Sequence, residues 1–285
     1  MIIDGLWLAL RAAGFVLLLQ ASGTVLFRAW FAAELGAPAT QDLKRYARRL
    51  TLAALAVVIV QGLLEPAHLA GAWEGIEDPT LRHLALASPG GVVLWLRFMG
   101  LGTLALALWR AHPGLALPAA LVALASFLVS GHTLTDTHRT LLLPLLALHV
   151  GAAAFWFGAL ACLRRLLPPV SDAAYLNLLR RFSVRALWLV PLLGVAGVLL
   201  AATLLPDWAA LRRPYGLLLL TKAALFAVLL GLAALNRLRL VPALARGAQA
   251  ACAALRVTLN AEYLLVMVVL TVTALMTGAF SPGEG

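Results

Sequence analysis

The sequence predicts an all-α integral membrane protein, a bundle of eight transmembrane helices with both termini on the outer side. Of its 285 residues, 63% are hydrophobic and 12% are charged, whereas soluble domains are about half apolar and about a quarter charged. The apolar residues form runs of about 20, the length needed to span a bilayer. Lipid admits only helices or closed barrels, and unbroken apolar runs exclude the alternating pattern of a barrel.

The apolar segments follow one another along a single transmembrane domain, residues 1–285. The first segment is interpreted as a retained helix, because Asp4 lies where a signal peptide is basic and Arg11 interrupts the apolar run. The eight predicted spans are residues 5–31, 47–69, 90–111, 114–131, 140–165, 183–205, 214–240 and 257–280.

One connection on the predicted outer face carries helix signals of its own. Asp78-Pro79 favours a helix start and Gly90-Gly91 a helix end. We therefore expect a short interfacial helix between them. Pro66, Pro144 and Pro191 lie in or near spans and are expected to kink them.

The basic residues predict the orientation of the bundle. Four are assigned to outer loops, Arg82, Arg139, Arg212 and Arg213. The opposite loops carry fourteen, which makes that face cytoplasmic: Lys44, Arg45, Arg48, Arg49, Arg110, Arg164, Arg165, Arg180, Arg181, Arg185, Arg237, Arg239, Arg246 and Arg256. The net charge of +10 is thus explained by membrane topology, and no nucleic-acid partner is expected.

Histidines concentrate at the outer face, and neutral imidazole is a ligand for copper, zinc, iron and nickel. Outer Met99 and Met276 add soft thioethers, which favour Cu(I). The alternatives are solvated loop histidines and ordinary methionine packing. The candidate metal ligands are His68, His83, His132, His138, His149, Met99 and Met276.

His149 lies inside an apolar run, about 16 Å below the outer loop at 1.5 Å per residue. An ionisable ring at that depth indicates a functional site, with a structural hydrogen bond between helices as the alternative. Trp156 shares its helical face. His132 and His149 are expected about 10–15 Å apart along the membrane normal. They would be successive stations on one path, or each would pair with Met99, Met276 or Glu65.

Charged residues inside other spans form a second set of candidates. Arg11, Arg97 and Lys222 are predicted at one depth, about 10–13 Å from the outer face. They either snorkel to the interface or form a cluster that pairs with Glu65 or binds an anionic group such as a haem propionate. Glu262, in the last span, is expected to pair with Arg185 or Arg237. Cys162 and Cys252 lack the spacing of a disulfide framework or zinc site.

With these residues in place, the sequence resembles the bacterial copper resistance protein D family (CopD/PcoD) over residues 90–280. The motifs that carry the resemblance are Ser130-Gly131-His132, His149 with Trp156-Phe157-Gly158, Arg181-Phe182-Ser183, Tyr215-Gly216 with Lys222, Asn236-Arg237, and Glu262. Ala159 stands where a second glycine often follows the Trp-x-Gly motif.

The resemblance implies a non-enzymatic protein of the bacterial inner membrane, with periplasmic termini, that imports copper from periplasm to cytoplasm. It implies a copper ion, membrane lipid and a periplasmic copper chaperone of the copper resistance protein C type as partners. Two alternatives stay open. One is a membrane redox protein that binds haem b through paired helix histidines. The other is a protein that delivers copper for oxidase assembly.

Overall fold

The computed structural model describes residues 2–110, 112–129, 139–168, 172–205, 207 and 209–279. Every long element in these ranges is an α-helix. In chain order the helices are α1 (Ile2–Trp30), α2 (Ala37–Ala70), α3 (Pro79–Ala87), α4 (Pro89–Arg110), α5 (Pro113–Ala125), α6 (Arg139–Leu166), α7 (Ala173–Leu204), α8 (Pro214–Leu235), α9 (Val241–Ala245) and α10 (Gln249–Ala279). A π-helical stretch, Asn236–Leu240, joins α8 to α9 without a break.

Seven helices of the described chain are long and apolar enough to cross a membrane. They are α1, α2, α4, α6, α7, the continuous α8–α9 unit and α10. The segment predicted as the fourth span, residues 114–131, contains α5, which has 13 residues. At 1.5 Å per residue α5 is about 20 Å long, shorter than the roughly 30 Å hydrocarbon core. The all-helical, multi-pass class is confirmed, and the described residues contain seven helices long enough to span a membrane.

The first helix occupies the centre of the bundle. It packs against α2, α5, α6 and α10, and it buries Phe15, Leu18, Leu19 and Phe27. At its crossing with α6, Gly23 faces Gly158 so closely that a Cβ on Gly23 would lie 1.8 Å from the Ala154 carbonyl oxygen. Glycine at both positions is therefore what lets the two backbones touch.

The outer connection forms the predicted short helix, with one correction at its end. Asp78 caps α3 by accepting from the backbone N–H groups of Thr80 and Leu81, at 2.7 and 3.3 Å. Gly90 and Gly91 do not end this helix, because they lie in the first turn of α4. Ser88 caps α4 instead, accepting from the Gly91 N–H at 3.0 Å.

The three prolines lie inside helices, as expected from their positions in the spans: Pro66 in α2, Pro144 in α6 and Pro191 in α7. Each removes one backbone donor from its helix.

Substituting Gly23 by alanine should destabilise the bundle, because the added methyl group meets the α6 backbone. We expect a loss of about 1–3 kcal/mol, the range for overpacking, measured by thermal unfolding in detergent. Gly102→Ala is the matched control, because a Cβ on Gly102 meets nothing within 4 Å. An equal effect of both substitutions would contradict the close crossing.

Candidate functional site

The His149 ring is held between α6 and α7. Its Nδ1 lies 3.2 Å from the Leu193 carbonyl oxygen. Because a carbonyl only accepts, a hydrogen bond here requires the Nδ1 tautomer, which leaves the Nε2 lone pair free. Gly197 makes room for the ring, since a Cβ there would lie 3.1 Å from His149 Cε1. This is the arrangement in which a protein orients a histidine ligand through its other ring nitrogen.

Lys222 and Trp156 complete the His149 site, defined as His149, Leu193, Gly197, Trp156 and Lys222. Lys222 on α8 interacts electrostatically with His149. Trp156, on the predicted face of α6, is 5% exposed. Its ring packs edge-on against Phe226 of α8, with 6.0 Å between ring centroids. The site thus has one cation and an aromatic wall.

Arg11 and Arg97 form a separate group on the far side of α1. Arg11 Nη2 donates to Thr277 Oγ1 at 3.1 Å and to the Thr277 carbonyl at 3.2 Å. Arg97 is 6% exposed and its Nε donates to Ser126 Oγ at 3.2 Å. Both guanidinium groups lie against Phe15, at 5.4 and 5.6 Å from its ring centroid. The expected cluster of three cations is therefore wrong for Lys222, whose electrostatic partner is His149.

A polar face between α1 and α2 leads from the start of α1 to Arg11. His68 stacks on Trp7 with 4.7 Å between ring centroids, and its Nδ1 lies 3.7 Å from Asp4 Oδ1. Deeper in, Glu65 interacts electrostatically with Arg11. The expected partners Arg11 and Glu65 thus lie within electrostatic range of each other, without a direct ion pair. We call Asp4, Trp7, Arg11, Glu65 and His68 the α1–α2 polar face.

Glu262 has a different partner from the two that were expected. It is 2% exposed, and Asn236 Nδ2 donates to its Oε1. Arg237 donates to the Ser183 carbonyl and hydroxyl, at 2.6 and 2.7 Å, and Arg185 lies 3.6 Å from Glu34. The prediction of an arginine partner is wrong, because successive helical residues point about 100° apart. Asn236 faces α10 and Arg237 faces α7.

The remaining candidate ligands are dispersed. His83 is exposed on α3, Met99 is 48% exposed on α4, and Met276 is 6% exposed on α10. His132 and His138 lie outside the described residues. Within the described part of the chain, no group of three or more His, Cys, Asp or Glu could hold a metal ion.

The haem alternative requires two histidines on facing helices. His68 contacts Trp7 and Asp4 of α1, whereas His149 contacts α7. These two described histidines are therefore engaged with different helices, and their positions do not form an iron-ligating pair.

Gln20 was not predicted as a buried polar partner. Its amide donates to the Tyr46 hydroxyl at 2.9 Å and accepts from the Tyr263 hydroxyl at 2.7 Å, which ties α1 to α2 and α10. Gln61, on α2, is also 2% exposed. Both are polar residues within apolar runs, and a polar residue in such a run could have been predicted from the sequence to have a buried hydrogen-bond partner.

The Arg11–Glu65 interaction can be tested by a double-mutant cycle. Arg11→Met should destabilise the protein, because it leaves the Glu65 carboxylate without its compensating charge. Adding Glu65→Gln should restore part of the loss, with a coupling energy of about 0.5–3 kcal/mol measured by thermal unfolding. Additive effects of the two substitutions would show that the groups do not interact.

One comparison with known proteins gives a match. A family model described as CopD, copper resistance protein D, matches residues 176–276. The range contains Lys222, Asn236 and Glu262, and it runs from α7 into α10. Searches of curated proteins and of solved structures returned no match. The resemblance is confirmed for the later motifs, and this chain carries a copper resistance protein D domain over residues 176–276.

Proposed function

We propose that this protein imports copper from the periplasm to the cytoplasm across the bacterial inner membrane, with His149 as a ligand within the membrane. The proposal is carried by one observation, the copper resistance protein D match. The matched helices α7 and α8 supply the Leu193 carbonyl next to His149 Nδ1 and Lys222, which interacts electrostatically with His149. These interactions support assigning the buried histidine to the same site as the matched region.

The chemistry of the His149 site suits a site that binds a copper ion transiently during transport. A neutral imidazole with a free Nε2 can bind a copper ion. Lys222, while charged, repels a cation bound at that nitrogen. Conduction requires a site that binds strongly enough to admit the ion and weakly enough to release it. A single nitrogen ligand beside a lysine meets that requirement better than a closed cage of ligands.

The outer end of the bundle supplies groups that would collect the ion. Asp4 and His68 lie together at the start of the α1–α2 polar face, and a carboxylate there attracts cations. His83 is exposed on α3. His132 and His138 precede α6 in the sequence. A periplasmic chaperone of the copper resistance protein C type would deliver copper to this face.

The eight-crossing topology with periplasmic termini belongs to the same proposal. Arg97, in the first half of α4, bonds to Ser126, directly after α5. Gly23 and Gly158 meet in the later halves of α1 and α6. These contacts support α4 and α6 running in the same direction as α1, with the chain returning through α5 between them. The excess of basic residues on one set of loops supports a cytoplasmic assignment for that face.

Replacing His149 by leucine should lower copper uptake about tenfold or more, in line with the effect of disturbing a metal site. The measurement is copper uptake into sealed proteoliposomes, with metal content of the purified protein as the second readout. His112→Leu is the control, because His112 is exposed at the start of α5. Full uptake by His149→Leu would overturn the assignment.

The same preparation separates the alternatives. Copper binding without uptake into the vesicles would favour a delivery protein for oxidase assembly. A Soret band in the visible spectrum would favour the haem-binding protein.

Reporter fusions test the topology. Fusions at Gly247 and at Gly285 should report opposite sides of the membrane, with Gly247 cytoplasmic. A cytoplasmic reporter at Gly285 would contradict the orientation or the number of crossings.

A further inference from the structure

A buried acid in α10 is not used by the proposed copper path. Glu262 lies about 20 Å along α10 from Gln249, at 1.5 Å per residue, and is 2% exposed. Its Oε1 accepts a hydrogen bond from Asn236 Nδ2. Thr258 Oγ1 lies 2.5 Å from Asn236 Oδ1 and donates to it. The three side chains form a closed polar network within the apolar bundle.

The cations on the neighbouring elements are engaged elsewhere. Arg237 binds Ser183, Arg256 donates to the Leu167 carbonyl at 3.3 Å, and Arg164 lies 4.1 Å from the Tyr263 ring centroid. Lys222 interacts with His149. Within the described residues, Glu262 forms no ion pair, and its environment is set by burial and by the Asn236 bond.

The other charged or titratable groups described on the elements packed against α10 form no hydrogen bond or ion pair with Glu262. They are Asp4, Arg11 and Arg28 on α1, His149, Cys162 and Arg165 on α6, Tyr215 on α8, and Arg239 on the π-helical stretch.

An ionised carboxylate in this position would be unfavourable. Burying an unpaired charge costs several kcal/mol even after the protein relaxes, and one amide donor does not neutralise it. A protonated carboxyl group avoids that cost and still accepts the Asn236 bond. We propose that Glu262 is a proton-binding site that holds a proton at neutral pH and exchanges it with water when the junction of α8, α9 and α10 opens.

The backbone around Asn236 supplies a means by which the junction of α8, α9 and α10 can open. Asn236 begins the π-helical stretch Asn236–Leu240, and π-helical turns are frequent at functional sites. Thr258 Oγ1 also lies 3.2 Å from the Ala254 carbonyl and 3.1 Å from the Leu255 carbonyl. It can therefore release Asn236 without losing a hydrogen bond. On release, the Glu262 O–H bond breaks, the proton passes to a water molecule, and the carboxylate keeps the electron pair.

Infrared spectroscopy of the copper-free protein in lipid tests the site independently of copper transport. The wild type should show the carbonyl band of a protonated carboxyl group at neutral pH, and the band should decrease as the pH is raised. Glu262→Gln should remove that band. Glu65→Gln is the matched control and should retain the Glu262 band, because Glu65 lies on α2 and takes no part in the Asn236–Glu262 hydrogen bond. Circular dichroism confirms that each variant is folded.

Three outcomes would overturn the proposal: no such band in the wild type, a band that survives Glu262→Gln, or a band that sodium ions remove at constant pH. The last would identify a metal-cation site in place of a proton site. If Glu262→Gln does not fold, Glu262→Asp replaces it, because the shortened side chain keeps the carboxyl group. That variant must then shift the frequency of the band, and an unshifted band would also overturn the assignment.

Discussion

The backbone contact between Gly23 of α1 and Gly158 of α6 positions the helix that carries His149. A side chain at either glycine would separate the helices, because a Cβ would lie within 2.1 Å of the opposing backbone. Near the C-terminal end of α6, Arg165 Nη2 donates to Asp42 of α2 at 2.8 Å. Between these fixed points α6 has little freedom to rotate. The direction in which the His149 ring projects therefore depends on a contact between residues without side chains.

The buried charged groups lie in separate parts of the bundle, and each has a different kind of partner. Arg11 has a carboxylate within electrostatic range, whereas Lys222 has a histidine beside it and Glu262 has only a neutral amide. In a medium without water, these differences set what each group can do. A compensated pair stabilises the bundle, an uncompensated lysine opposes a bound cation, and an uncompensated carboxyl group favours holding a proton.

The family match and the rest of the chain contribute different parts of the site. Residues 176–276 supply α7, α8, α9 and most of α10, and with them the wall of the His149 site. The preceding helices supply His149 itself and the α1–α2 polar face, which lies at the end of the bundle where α1 begins. The surroundings of His149 are therefore built from both parts of the chain.

The sequence by itself determined which segments are helical and which residues were candidates. Hydropathy predicts the spans, because the backbone of a long apolar segment satisfies its hydrogen bonds in lipid by forming a helix. Asp78 predicts the start of α3, because its side chain caps the helix. Counting residues also predicts the depth of His149. The tertiary structure alone decided the partners, with Lys222 interacting electrostatically with His149 and Asn236 bonded to Glu262. A helix that is apolar on every side carries no periodicity that reveals which face meets which neighbour, so only the packing sets its rotation.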